Sequence, residues 1–80
     1  MKVRIVVSLR DGVLDPAAET IRRSLGALGF DGVGAVTQRR VFEVEIDGRD
    51  EAAALEEARA MADRLLANPV IETFVVEPVG

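Results

Sequence analysis

The sequence predicts an α+β fold, a two-layer sandwich with the element order β-α-β(β)-α-β and a mainly antiparallel sheet. Valine- and isoleucine-rich runs near both ends and in the middle of the chain alternate with period two, as strands do. Between them lie two segments with apolar residues at helical spacing. Each helix has a single apolar stripe, so we expect both helices to cover the same face of the sheet.

Three segments are predicted to be strands. The first spans residues 2–9, whose inward side is predicted to be Val3, Ile5, Val7 and Leu9. The second lies within residues 33–46, a length above the usual range for one strand. It is therefore either one bent strand or a hairpin around residues 38–40. The last spans residues 70–76, with Phe74 and Val76 on one face and Ile71 and Val75 on the other.

Two segments are predicted to be helices. The first spans about residues 16–28: Asp15 can cap free N–H groups, and a proline at the first helical position loses no hydrogen bond. Gly29 suits the left-handed position that ends a helix. The second spans residues 51–67, is capped by Asp50 and ends at Asn68-Pro69. The predicted apolar stripe of the first helix is Ile21, Leu25 and Leu28. That of the second is Leu55, Ala58, Ala62 and Leu65, widened by Ala54, Met61 and Leu66.

If both helices share one face, the opposite face is bare. It would carry Val6 and some of Val41, Ile71 and Val75. Hydrophobic residues make up 49% of the chain and the mean hydropathy is +0.19. An uncovered face rich in β-branched residues favours self-association, so we expect a homodimer or a higher homo-oligomer.

Composition limits the function classes. Eighty residues predict one domain, residues 1–80, and the absence of Cys and His excludes thiol and imidazole chemistry. We assign no residue to catalysis, cofactor binding or metal binding. A net charge of −4 argues against nucleic-acid binding. No apolar run is long enough for a membrane span and the N-terminal run is too short for a signal peptide, so we expect a cytoplasmic protein.

Three short segments carry the candidate partner contacts. Val13 and Leu14 are apolar residues in a predicted loop, where they either cover the end of the core or face a partner. Arg39-Arg40 is a solvated turn, a contact for an acidic partner or, least favoured of the three, a site for a small-molecule phosphate. Asn68-Pro69 is explained as a sharp turn from helix to strand without a ligand. The full set of candidates is Val13, Leu14, Asp15, Pro16, Arg39, Arg40, Asn68 and Pro69.

Two of these segments resemble the PurS family. Residues 7–16, VSLRDGVLDP, are similar to the opening of that family, and residues 65–72, LLANPVIE, to its second signature. The resemblance implies the small subunit of phosphoribosylformylglycinamidine synthase, which joins a glutaminase subunit to a synthetase subunit and supports ammonia transfer between them. It further implies that ATP and Mg²⁺ are used by the synthetase and that this chain binds no cofactor.

The chain also departs from the family pattern. Ala17-Ala18 stand where Gln-Gly is common, and Arg39-Arg40 where a Gly-Lys pair is frequent. The predicted element order is that of a ferredoxin-like or related fold. As an alternative, it is also the order of ACT-like small-ligand regulatory modules. Saturable binding of an amino acid would favour that alternative.

Overall fold

The computed structural model describes residues 1–48 and 50–79 and confirms the α+β class and the antiparallel sheet. Within these residues, three strands alternate with two helices. A π-helical turn, Ala62–Leu66, directly follows the second helix. The elements are β1 (Lys2–Leu9), α1 (Pro16–Ala27), β2 (Arg40–Glu45), α2 (Glu51–Met61) and β3 (Glu72–Val79).

The sheet has the strand order β2-β1-β3, with β1 antiparallel to both neighbours. Val3, Ile5 and Val7 of the central strand are almost completely buried, because α2 packs on their face. Phe42 and Phe74, from the two flanking strands, pack against the same core. The predicted inward side of β1 is thus confirmed for its three most buried residues.

Helix α2 lies close to the sheet because its inner face is made of small residues. Ala54, Ala58 and Ala62 are buried at i, i+4, i+8 spacing. In the π-helical turn the Ala67 N–H donates to the Ala62 carbonyl at 2.8 Å, five residues back. The turn holds one residue more than an α-turn, which moves the core-facing position from Leu65 to Leu66. The placement of Leu65 in the buried stripe was therefore wrong, and its side chain is 82% exposed.

Helix α1 has the predicted ends. The Asp15 carboxylate accepts from the Ala18 N–H at 3.1 Å. At the other end Gly29 has a φ of +99°. The Phe30 N–H donates to the Leu25 carbonyl and the Gly29 N–H to the Gly26 carbonyl, which is a Schellman closure.

The position of α1 differs from the expectation that both helices cover the sheet. Ala18 is its buried residue, and α1 makes at most marginal contact with the sheet of its own chain. The molecule is consequently elongated, 51 × 28 × 15 Å, with a radius of gyration of 16.1 Å. A compact chain of this length would have about 12 Å.

Two strand boundaries also differ. The segment predicted as extended, residues 33–46, contains one strand of six residues, Arg40–Glu45. Neither the long bent strand nor the hairpin around residues 38–40 forms. The ladder with β1 ends at the pair Val7↔Arg40, and residues 33–39 are not part of a strand. Strand β3 begins and ends later than predicted. It includes Pro78, which an edge strand tolerates because the missing N–H faces away from the ladder.

The outer face of the sheet is bare, as predicted. Val41 and Val75 are exposed on either side of Val6, their partner in the ladder. Arg4 lies between two carboxylates from the flanking strands, Glu43 and Glu77, each at 3.2 Å. These hydrogen bonds, first that to Glu77, raise the pKa of Arg4.

Candidate partner-binding surface

The two signature segments meet at one end of the sheet. The Arg10 N–H donates to the Ile71 carbonyl at 2.8 Å, which continues the β1–β3 ladder by one step. The Arg10 guanidinium donates to the Pro69 carbonyl at 2.9 and 3.3 Å. No role was predicted for Arg10 from the sequence, although Arg10 directly follows a strand that pairs with β3. We call residues 10–16, 36–39 and 68–71 the loop corner.

The loop before α1 presents apolar surface to solvent. Gly12 has a φ of +85°, and the Val13 N–H donates to the Arg10 carbonyl at 3.1 Å, which closes a tight turn. Leu14 is 75% exposed and Val13 is 36% exposed. Of the two alternatives for this loop, the structure therefore places Leu14 toward solvent and not over the core. Asp15 and Pro16 act locally, as cap and first residue of α1.

An open cleft of about 390 Å³ separates this loop from residues 36–39. Arg39 lies on its wall, and its Nε donates to the Ser8 hydroxyl at 2.9 Å. Across the cleft, the Gln38 amide donates to Asp15 at 3.4 Å. Arg39 keeps an exposed guanidinium and remains the predicted charged contact for a partner.

Arg40, in contrast, is engaged within the chain. Its guanidinium donates to both carboxylate oxygens of Glu72, at 2.8 and 2.9 Å, and to the Leu66 carbonyl at 3.3 Å. It also lies 5.7 Å from the centre of the Phe42 ring, within the range of a cation–π contact. Arg40 therefore spans β1 to join β2 to β3 and to the π-helical turn.

The Asn68-Pro69 turn is held by the same carboxylate. The Asn68 N–H donates to Glu72 at 2.7 Å, while the Asn68 side chain accepts from the Val70 N–H at 3.1 Å. The reading of this segment as a sharp turn is confirmed. The turn leaves Val70 80% exposed. Val70, like Leu65, was not among the candidate contacts, because turn residues next to proline are usually interpreted as spacers.

The surface of the loop corner suits a protein partner. It combines exposed apolar side chains, Leu14 and Val70, with the Arg39 guanidinium. The buried core of a protein interface is more apolar than the rest of the surface, and arginine is enriched in interfaces. Among residues 1–48 and 50–79, no group of three or more acidic side chains is arranged to hold a metal ion. The helices within those residues are all too short or too polar to cross a bilayer.

Lowering the pH is expected to destabilise the Asn68-Pro69 turn, because the Glu72 carboxylate that holds the turn becomes protonated. The Asn68 N–H, and next Arg40, hold the pKa of Glu72 below its ordinary value of 4.5. A carboxyl whose pKa is lowered by folding stabilises the fold above its ordinary pKa, and that stability is lost as the pH falls through the lowered value. Thermal melts from neutral pH to about pH 3 should therefore show a smaller loss of Tm in Glu72→Gln than in the wild type.

The matched control is Glu19→Gln. The pKa of Glu19 is also lowered, mainly by its hydrogen bond to Arg22, but both residues lie on α1 and away from the turn. Glu19→Gln should change how the stability of α1 depends on pH, but it should leave the Asn68-Pro69 turn as stable in acid as it is in the wild type. An acid profile of Glu72→Gln identical to that of the wild type would contradict the role of this carboxylate.

Comparison with known proteins extends over nearly the whole chain. The family model described as PurS, phosphoribosylformylglycinamidine (FGAM) synthase, matches residues 2–80. The PurS subunit of FGAM synthase from Synechocystis is 43% identical over 74 residues, which is 92% of this chain and 74% of that protein. The one from Methanocaldococcus jannaschii is 36% identical over 76 residues, 95% of this chain and 92% of that protein. These matches favour PurS over the ACT-like alternative.

Solved structures agree with the sequence matches. The crystal structure of M. jannaschii PurS has a TM-score of 0.86 at 34% identity, covering 99% of this chain and 98% of that one. A chain in the structure of PurLQS from Thermotoga maritima has a TM-score of 0.88 at 29% identity, covering 98% and 95%. The chain therefore belongs to the PurS family of FGAM synthase subunits.

Proposed function

We propose that this chain is the bridging subunit of FGAM synthase in de novo purine biosynthesis. It joins a glutaminase subunit, which releases ammonia from glutamine, to an ATP-dependent synthetase subunit, which forms the amidine. The chain contributes no catalytic residue. ATP and Mg²⁺ belong to the synthetase, and the complex works in the cytoplasm.

The observation that carries the proposal is the loop corner. The two segments of the sequence that resemble the family are far apart in the chain, yet Arg10 and Pro69 join them at one end of the sheet. The surface that they form exposes Leu14 and Val70, side chains whose burial against a partner would be favourable. A relative of nearly the same fold is part of PurLQS from T. maritima, which supports a shared complex.

The proposal includes a homodimer. The accessible surface of the chain is 5759 Å², whereas a compact monomer of 8.6 kDa would expose about 4,700 Å². The excess, about 1,000 Å², is close to the ~800 Å² that each partner buries in a standard interface. The exposed surface includes large hydrophobic side chains such as Leu28, Phe30 and Val75, which supports burial against a second copy.

Assembly tests the role of the loop corner. The chain, the glutaminase subunit and the synthetase subunit are mixed, and complexes are sized by chromatography with light scattering. We expect a stable complex with the wild type and a much weaker one with Leu14→Asp, which puts a charge at the centre of the contact. The matched control is Ala53→Asp, an exposed position in the first turn of α2, where an acidic residue is compatible with the helix dipole. Loss of assembly with Ala53→Asp but not with Leu14→Asp would contradict the proposed surface.

A further inference from the structure

Arg10 contacts both signature segments at the loop corner, through its main chain and through its side chain. Its N–H donates to the Ile71 carbonyl at 2.8 Å, and its carbonyl accepts from the Val13 N–H at 3.1 Å. Its guanidinium donates to the Pro69 carbonyl through Nη2 at 2.9 Å and Nε at 3.3 Å. Most residues could make the two main-chain bonds at this position, whereas the bonds to Pro69 require the arginine side chain.

The peptide bond between Pro69 and Val70 is held from both sides. Its carbonyl accepts from the Arg10 guanidinium, and its N–H donates to the Asn68 side chain at 3.1 Å. A peptide unit is planar, so bonds at its carbonyl and at its N–H fix the orientation of the whole unit. The Cα atom of Val70 belongs to this unit. Arg10 and Asn68 together therefore limit where the Val70 side chain can lie.

Packing does not hold Val70 in place. The residue is 80% exposed, and the core cluster of the described residues does not include it. An exposed turn with little buried surface opens easily, so the position of Val70 depends on the hydrogen bonds of the turn. The bonds from Arg10 to Pro69 are those that tie this turn to the other signature segment, 59 positions away in the sequence.

Arg10 also connects the two exposed apolar side chains of the loop corner. Its carbonyl closes the turn that leads into Leu14, and its guanidinium holds the peptide bond that leads into Val70. A partner that buries both side chains binds more tightly when their relative position is already correct in the free chain. Ordering the turn only on binding would cost conformational entropy.

We propose that Arg10 is a positioning residue for partner binding. Its guanidinium fixes the Pro69–Val70 peptide bond, so that Val70 and Leu14 form one preorganised apolar contact for the large subunits of FGAM synthase. Arg10 acts through Val70, and its effect on binding therefore requires the Val70 side chain. This inference rests on the proposed function and names the residue that shapes its binding surface.

A double-mutant cycle tests this dependence. Binding to the mixed glutaminase and synthetase subunits is titrated for the wild type, Arg10→Ala, Val70→Ala and the double variant. We expect Kd to rise about tenfold in each single variant and again about tenfold in the double variant, because each change removes the same contact. A rise of about a hundredfold in the double variant would overturn the proposal, since independent effects multiply in Kd.

The matched control is Arg59→Ala, which also removes one positive charge. The Arg59 guanidinium is exposed and pairs with Glu56 on the same helix, α2, at 3.1 Å. This variant should leave Kd within about twofold of the wild type. A rise as large as that of Arg10→Ala would show that net charge controls binding, and it would overturn the positioning role.

Amide hydrogen exchange of the free chain separates positioning from a general structural role. The Arg10 side chain is exposed and both main-chain bonds remain in Arg10→Ala, so Tm should change little. The Val70 amide should exchange at least about threefold faster, whereas the amides of α2 should keep their rates. Faster exchange throughout the chain, or an unchanged rate at Val70, would overturn the proposal.

The same titration separates this inference from the proposed function. Binding by the wild type that either single variant leaves unchanged refutes the positioning role alone, and the bridging role remains. A wild-type chain that does not bind the large subunits refutes the bridging role and the positioning role together.

Discussion

Ile5→Ala is expected to lose about 2–5 kcal/mol of unfolding free energy, the range for removing most of a buried aliphatic side chain. Ile5 is fully buried at the centre of the central strand. A domain of 80 residues has a total stability of about 4–12 kcal/mol, so the variant should be marginal or unfolded. Urea denaturation followed by circular dichroism measures the change.

Val6→Ala is the matched control for this variant. Val6 is the next residue along the same strand and points to the outer face. Its truncation should cost about 1 kcal/mol or less. A cost equal to that of Ile5→Ala would show that the outer face is buried in solution, which would contradict the one-sided sheet described here.

Arg40→Glu is expected to destabilise the fold, because it breaks the link between β2 and β3. The substitution removes both hydrogen bonds to Glu72 and the contact with the Phe42 ring, and it places a second carboxylate beside Glu72. Tm should fall clearly, and amide hydrogen exchange should increase first in the turn, at Asn68, Val70 and Ile71. The loss should be smaller at acid pH, where Glu72 is protonated.

Arg39→Glu, at the neighbouring position, is the control. It should affect assembly with partners and not the stability of the fold. The Arg39 side chain donates to the Ser8 hydroxyl on the exposed wall of the cleft. We expect an almost unchanged Tm together with weaker assembly with the large subunits. A Tm loss as large as that of Arg40→Glu would contradict the division of roles between the two arginines.

The central strand and the caps of α1 could be predicted from the sequence because both depend on local rules. Alternation in residues 2–9 assigns Val3, Ile5 and Val7 to one face without knowledge of the neighbours. Asp15 and Gly29 act within four residues of their own positions. The bare outer face followed from the same alternation.

The ion pair between Arg40 and Glu72 was not predicted, although the sequence places both residues on the inner side of their strands. Each residue stands two positions before a core phenylalanine, Phe42 or Phe74, and therefore on the same side of its strand. The alternation of side chains does not show the register between strands. Strands β2 and β3 are not neighbours in the sheet, and their register is set through β1, where Val7 pairs with Arg40 on one side and with Phe74 on the other. Such pairing depends on residues distant in sequence.

The positions of α1 and Leu65 could not be predicted for a different reason. An apolar stripe on Ile21 and Leu25 shows that the helix must be covered, but it does not show which chain supplies the cover. Leu65 and Leu66 are chemically alike, and the choice between them was made by one extra residue in the π-helical turn. The loop corner was identified only in part, because the role of Arg10 depends on the Pro69 carbonyl across the sheet.

Reconstitution of the glutamine-driven reaction tests the central claim most directly. Purified glutaminase and synthetase subunits are assayed for amidine formation with and without this chain, with glutamine or with ammonia as the nitrogen source. If the chain couples the two active sites, the glutamine-driven reaction requires it, whereas the ammonia-driven reaction continues without it. Glutamine-driven turnover at the same rate in the absence of the chain would contradict the bridging role.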